Sequence, residues 1–276
     1  MNKGILILCC SAGMLLAQDG EKVAVPLHDP ARPATVQIHL LQGGITVRGA
    51  DIKDVEVETR ASGRERRRGS RERPTDTARA DGLKKLELPG NAGLDVVEDN
   101  NLVTIKTSPM GTGADVVVKV PRHTSLKLKC LNGGDIYVEE VDGEIDADNL
   151  NGKVTMKNVS GSVVAHSLNG SVTASLDRVD AGKPMSFSTM NGDIDVTLPD
   201  SLKANVRMKT DNGEIYSDFD VNLSRGDNVK PTEAGRQADG TYRIRFDHTL
   251  RGTINGGGPE FQFTSFNGQI YIRRKK

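Results

Sequence analysis

Tryptophan is absent from the 276 residues, aromatics make up 4%, and cysteines number three. Few large rings are available to fill a thick globular core. The 36% of hydrophobic residues suits instead a thin core of Val, Ile, Leu and Ala between short strands. Two of the cysteines, Cys9 and Cys10, fall in the apolar N-terminal stretch. That leaves Cys130 alone in the rest of the chain, and a lone cysteine forms no internal disulfide. The alternation Leu126-Lys127-Leu128-Lys129-Cys130 puts it on an apolar face, as a small buried residue rather than a reactive thiol. An excess of either charge is also missing, because 37 Lys and Arg balance 37 Asp and Glu. Nothing global points to nucleic acid or an anionic surface. No sustained 3.6-residue apolar period follows the N-terminus, so helices of ordinary length are not expected.

Long apolar runs are confined to the start. Residues 1–17 combine Lys3, an apolar stretch over 4–16 and a small residue, Ala17, which reads as a cleaved secretion signal. The stretch falls short of the roughly 20 residues of a spanning helix, so the mature chain is expected to carry no membrane span. Lipid attachment at Cys9 or Cys10 is disfavoured by the short apolar run ahead of them and the lack of a small residue just before. The expected location is outside the cytoplasm: periplasmic, cell-surface or secreted.

What is abundant is a beat. Ile136, Ile145, Val154, Val163 and Val172 follow one another at nine-residue steps, each with Val138, Ala147, Met156, Ala165 or Ala174 two positions later. Self-similarity at a fixed period marks a repeat architecture. A coarser period carries Asn-Gly pairs: Asn132-Gly133, Asn151-Gly152, Asn169-Gly170, Asn191-Gly192, Asn212-Gly213 and Asn267-Gly268. Between the first three lie Asp142-Gly143 and Ser160-Gly161, so two turn types alternate. This predicts an all-β, parallel β-solenoid-like stack with Asn-Gly corners and inward Ile and Val. An antiparallel meander is the rival, since Asn-Gly also makes hairpins. The apolar residue before most Asn-Gly pairs is expected to point into the core, which favours the coil. Corner Asn side chains are expected to stack as a hydrogen-bonded ladder.

Residues 18–125 are expected to form an N-terminal β region, and 126–276 the β-repeat domain. In the former, 35–40 and 55–59 alternate as strands, Gly44-Ile45-Thr46-Val47 resembles a repeat unit, and 83–88 and 102–107 read as strands. The apolar run 114–120 suits a strand buried on both sides. Residues 60–82 hold Arg60, Arg64, Arg66, Arg67, Arg68, Arg71 and Arg73 without apolar period or interleaved aromatics. They read as a solvated loop rather than a nucleic-acid patch. Residues 222–240 read as an exposed loop, and 241–246 as a strand. The charged end Arg273-Arg274-Lys275-Lys276 is expected to shield an exposed sheet edge.

The unit Leu/Met/Phe-Asn-Gly-x-Ile/Val, seen at Leu131, Leu150, Leu168, Met190 and Phe266, resembles the DUF4097 family of exported bacterial β-strand-repeat proteins. The likeness covers roughly 35–274 and is most specific from 131 to 217. It implies an exported β-solenoid-like domain, with adhesion or envelope signalling as its role, and no catalytic residue.

Catalytic chemistry has little support in the residues. Carboxylates on one outer face would suit a glycan-cleaving β-helix, and Asp193, Asp195 and Glu214 are the best acidic candidates; a solvated strand face is the simpler reading. The five histidines show no metal-ligand spacing. The stretch 146–152 places Leu150 where a calcium loop needs an oxygen. No phosphate loop or nucleophile turn occurs. The expectation is a non-catalytic exported binding or scaffold module without cofactor, holding an envelope protein or a glycan and no nucleic acid. A carbohydrate-active enzyme on the same scaffold, or an envelope sensor acting through the Arg-rich loop, is the alternative.

Overall fold

The computed structural model describes residues 22–61, 94–107, 114–224, 231–236, 242–246 and 249–276. The stretch read as a secretion signal, with Cys9 and Cys10, the Arg-rich stretch beyond Ala61, and the strand expected at 83–88 lie outside the described residues.

Among the described residues every regular element is a strand. In chain order they are β1 (Lys22–Val25), β2 (Ala34–Ala50), β3 (Val55–Ala61), β4 (Leu94–Asp99), β5 (Leu102–Thr107), β6 (Ala114–Pro121), β7 (Thr124–Glu139), β8 (Asp142–Asn149), β9 (Val154–Ser167) and β10 (Val172–Val179). Then come β11 (Met185–Asn191), β12 (Ile194–Leu198), β13 (Ala204–Asn212), β14 (Ile215–Ser217), β15 (Val221–Leu223), β16 (Pro231–Arg236), β17 (Tyr242–Phe246), β18 (Leu250–Ile254), β19 (Glu260–Asn267) and β20 (Ile270–Arg274).

The nine-residue beat is half a coil. Strand β8 pairs in parallel with the first half of β7, Ile145 beside Leu126, and with the second half of β9, Ile145 beside Val163. The second half of β7 pairs instead with the first half of β9, Ile136 beside Val154, and Val154 then lies beside Val172 of β10. Successive half-coils therefore alternate between two parallel stacks. Ile136, Val154 and Val172 line one stack, Ile145 and Val163 the other, and all are at most 2% exposed. The result is a flattened β-solenoid, with long strands β2, β7 and β9 turning the corners without a break. Later rungs swap small residues for rings: Phe187 and Phe263 stack in the core with centroids 5.4 Å apart.

The rungs do not follow chain order throughout. Strand β2 lies between β7 on one side and β5 and β6 on the other, all parallel. Hydrogen-bonded pairing therefore crosses the division expected at residue 125. At the other end, β19 is inserted between β11 and β13, and β20 between β12 and β14. The charged terminus thus guards no free edge. Strand β20 is paired on both sides; Arg273 lies on the outer face, and the half-buried Arg274 at its end lies over the Phe219 ring. Strand β6 alternates: Val116, Val118 and Val120 are buried while Lys119 is exposed, so it is covered on one face only. Within the polar 222–240 stretch, β16 forms an antiparallel hairpin with β17 rather than an unstructured loop.

The Asn-Gly corner is where backbones come closest. An added Cβ on Gly152 would lie 2.2 Å from the Gly134 carbonyl oxygen. On Gly170 it would lie 2.2 Å from that of Gly152, and on Gly192 2.5 Å from that of Gly170. Only a residue without a side chain fits. Each such carbonyl is capped from inside by the next rung. The Ser167 hydroxyl donates to Gly152 O (2.9 Å), Thr189 to Gly170 O (2.8 Å), Ser265 to Gly192 O (3.1 Å) and the Asn149 amide to Gly134 O (3.0 Å). The Cys130 thiol donates to Gly43 O at 3.0 Å. Buried carbonyls need such partners.

Two expectations test this architecture. Val154→Asp puts a charge into a core one side chain thick and should destabilise by on the order of 4 kcal/mol or more, whereas the adjacent, outward Thr155→Asp should shift stability by less than about 1 kcal/mol. Equal losses in thermal unfolding would contradict the inward register. Gly170→Ala should cost more than about 1 kcal/mol in urea unfolding, since backbone rather than a flexible side chain blocks the new methyl group.

Candidate functional site

The six corner asparagines form one continuous amide ladder on the outer edge. Asn151 Nδ2 donates to Asn132 Oδ1 (3.2 Å), Asn169 to Asn151 (2.9 Å) and Asn191 to Asn169 (2.8 Å). Asn267 donates to Asn191 and Asn212 to Asn267, both at 2.9 Å. Every amide donates in the same direction, so the chain of dipoles is polarised along the stack. Its acceptor end is Asn212. The glycine partners of the sequence motif take the close-packed place described above, except at the first corner. There Gly134 fills it, and Gly133 turns the chain at φ 89°.

The residue before each Asn faces outward. Leu150 is 37% exposed, Met190 and Phe266 are each 45% exposed, and Leu131 and Leu168 are half-buried. Leu41 extends the row at 51% exposure, one rung beyond Leu131. The inward place at the corner belongs instead to Cys130, Asn149, Ser167, Thr189 and Ser265, all nearly fully buried. Expecting the apolar residue inside was thus an error. The corner carbonyls need donors, and a polar side chain supplies them. The consequence is an outward apolar ladder of Leu41, Leu131, Leu150, Leu168, Met190 and Phe266 beside the Asn ladder.

The acidic candidates are not brought together. Asp193 and Glu214 share an outer face, but the β20 rung with Gln269 lies between them. The Asp193 carboxylate accepts the Gln269 backbone N–H at 2.8 Å, just as Asp135 accepts that of Lys153 at 2.8 Å. It is a backbone cap repeated along the stack. Asp195 holds Arg273 through two bonds of 2.7 and 3.0 Å, which raises the guanidinium pKa. Glu214 accepts the Tyr216 hydroxyl, and that bond raises the phenol pKa. Burial pushes the Cys130 thiol up, away from thiolate chemistry.

The opposite edge holds two open clefts of about 410 and 450 Å³ that share Asp177. Their charges satisfy one another. Arg178 bridges Asp142 (2.5 Å) and Asp180 (2.7 Å), and Lys183 reaches Glu144 at 2.7 Å. Such exposed pairs contribute little energy each. Among the described residues no group of three or more His, Cys, Asp or Glu is placed to hold a metal ion. No helix there is long and apolar enough to cross a membrane.

Residues 132–255 match the family model Toastrack DUF4097. No curated protein sequence matches the chain. Among solved structures it is similar to a candidate cell adhesion protein from Clostridium sporogenes ATCC 15579, at 10% identity and a TM-score of 0.42, covering 93% of this chain and 100% of that one. It is similar also to a candidate adhesin from Bacteroides fragilis NCTC 9343, at 10% identity and a TM-score of 0.27, covering 94% of this chain and 98% of that one. The match to the Toastrack DUF4097 family model thus falls on the central part of the Asn-Gly-cornered parallel stack, residues 132–255.

Proposed function

We propose that this chain is a non-catalytic, exported β-repeat module that holds a protein of the cell envelope along its Asn-Gly edge. The observation that carries this reading is the outward apolar ladder. Leu, Met and Phe side chains occupy consecutive rungs at a position where the fold makes no demand for them, since the corner is filled by the polar residue one place earlier. A contiguous apolar row rimmed by polar groups is the usual mark of an interaction surface. The neighbouring asparagines add a polar rim whose hydrogen bonds are already satisfied within the ladder.

A protein suits this surface better than a glycan. Sugar rings are favoured by broad aromatic faces, and the ladder is aliphatic except at Phe266. Export is supported by the secretion-signal reading of residues 1–17, and adhesion is the role that the family resemblance implies.

The test is capture by the mature chain from envelope fractions, run in parallel with a glycan panel and lipid vesicles. The triple variant Leu150→Ser, Met190→Ser, Phe266→Ser should keep its unfolding temperature within a few degrees, because these side chains are exposed. It should lose an envelope protein that the unaltered chain retains. Undiminished capture by the variant, or retention of glycans or vesicles instead, would overturn the reading.

A further inference from the structure

The stack ends unevenly. One stack continues past β13 into β18 and β15, both antiparallel additions. The other stops at β14, which pairs only with β20 among the described residues. Strand β14 is the last rung that keeps the repeat chemistry, and each part of that chemistry is half satisfied there.

The backbone is the first part. The Ile270 N–H donates to Glu214 O and the Asp218 N–H to Ile272 O, both at 2.9 Å. By the alternation of a parallel ladder, the N–H and C=O groups of Ile215 and Ser217 then face away from β20. The Asn ladder is the second. Asn212 donates to Asn267, and no amide from a further rung donates to Asn212 among the described residues. The aromatic stack is the third. Tyr216 lies on Tyr271 with centroids 5.2 Å apart and planes 8° apart, yet Tyr216 is 45% exposed. The core is the fourth. Ile270, Ile194, Val172, Val154 and Ile136 are fully buried, while Ile215, in the same register, is only partly buried.

Charge selects the occupant. Glu214, Asp218 and Asp220 are exposed on this terminal rung, and no ion pair reaches them among the described residues. On the other side of β14 lies β20, and the stretch from the end of β19 through β20 reads, from Phe266, Phe-Asn-Gly-Gln-Ile-Tyr-Ile-Arg-Arg. It supplies an Asn, an inward Ile, a stacking Tyr and two Arg.

We propose that the open edge of β14 receives an extended basic strand of a partner protein, of the form Asn-Gly-x-Ile-aromatic-x-basic, as one added rung. Main-chain bonds to Ile215 and Ser217 hold the strand. Its Asn extends the amide ladder from Asn212, its Ile closes the core over Ile215, and its aromatic ring covers the free face of Tyr216. This is strand addition to a sheet edge, with side-chain pockets set by the repeat itself. The site is separate from the apolar ladder, so either can fail alone.

The probe is a labelled synthetic peptide of residues 266–274, titrated with the mature chain and followed by fluorescence anisotropy. Saturable binding is expected, weakened about tenfold or more by Ile215→Pro, which removes an outward N–H without touching the bonds to β20. Tyr216→Ser, which leaves the edge intact, should weaken it less. Circular dichroism and thermal unfolding establish that both variants fold. A peptide with both arginines replaced by glutamate should not bind. Absence of saturable binding up to about millimolar protein, or equal binding by Ile215→Pro, would overturn the proposal. So would a dimer in sedimentation that Ile215→Pro converts to monomer, because the edge would then be taken by a second copy.

Discussion

Close approach of corner backbones governs this molecule. Rungs stack in register only if the chain turns within the distance that one hydrogen-bonded strand leaves to the next. At the Asn-Gly corners that distance leaves no room for a side chain on Gly152, Gly170 or Gly192. The tight turn brings carbonyl groups into the dry interior, and each of these demands a donor. Ser167, Thr189, Ser265 and Asn149 supply it from the following rung. Once that inward place is polar, the residue after it must point out and the Asn must stand in the outer column. Close packing, capping and the two outer ladders thus follow from one geometric condition.

Inside and outside obey different rules. The core is a single layer of Val, Ile and Ala flanked by strands, so a change in the size or charge of one side chain is felt by both stacks. The outer faces carry Lys, Asp, Thr and Tyr in mixed order. Several of those side chains interact along the stack: Asp195 with Arg273, Tyr216 with Tyr271, Lys129 with Asp148. Neighbours along a column lie on adjacent rungs. Asp193 and Glu214 stand two rungs apart with Gln269 between them, a span that a longer side chain such as Arg178 bridges to reach Asp142.

Much of the architecture was legible in the sequence, for a physical reason. Branched aliphatics at Ile136, Ile145, Val154, Val163 and Val172 must recur with the period of the coil, because nothing else can line so thin a core. The Asn column was legible for the same reason, since stacked amides need identical spacing. Three features were not. Ser167 and Thr189 look like surface residues unless the carbonyl they cap is known, so the neighbouring Leu168 and Met190 were assigned the interior. A polar residue three places before each corner glycine was the overlooked signal. Insertion of β19 and β20 was invisible because every rung offers the same edge to its neighbours, and the repeat does not encode which rung comes next. That insertion also separated the acidic candidates, which a simple reading in chain order had placed on adjacent rungs.

The inserted pair β19 and β20 has a consequence for how the fold is reached. Strands β13 and β14 leave the ribosome well before residues 260–274, yet among the described residues their only parallel neighbours are made from that last stretch. A solenoid that grew coil by coil from its beginning would have to hold this place open. Zipping from one end is therefore closed to the chain. Closure joins segments far apart in sequence, which slows folding and leaves sheet edges bare for longer during synthesis.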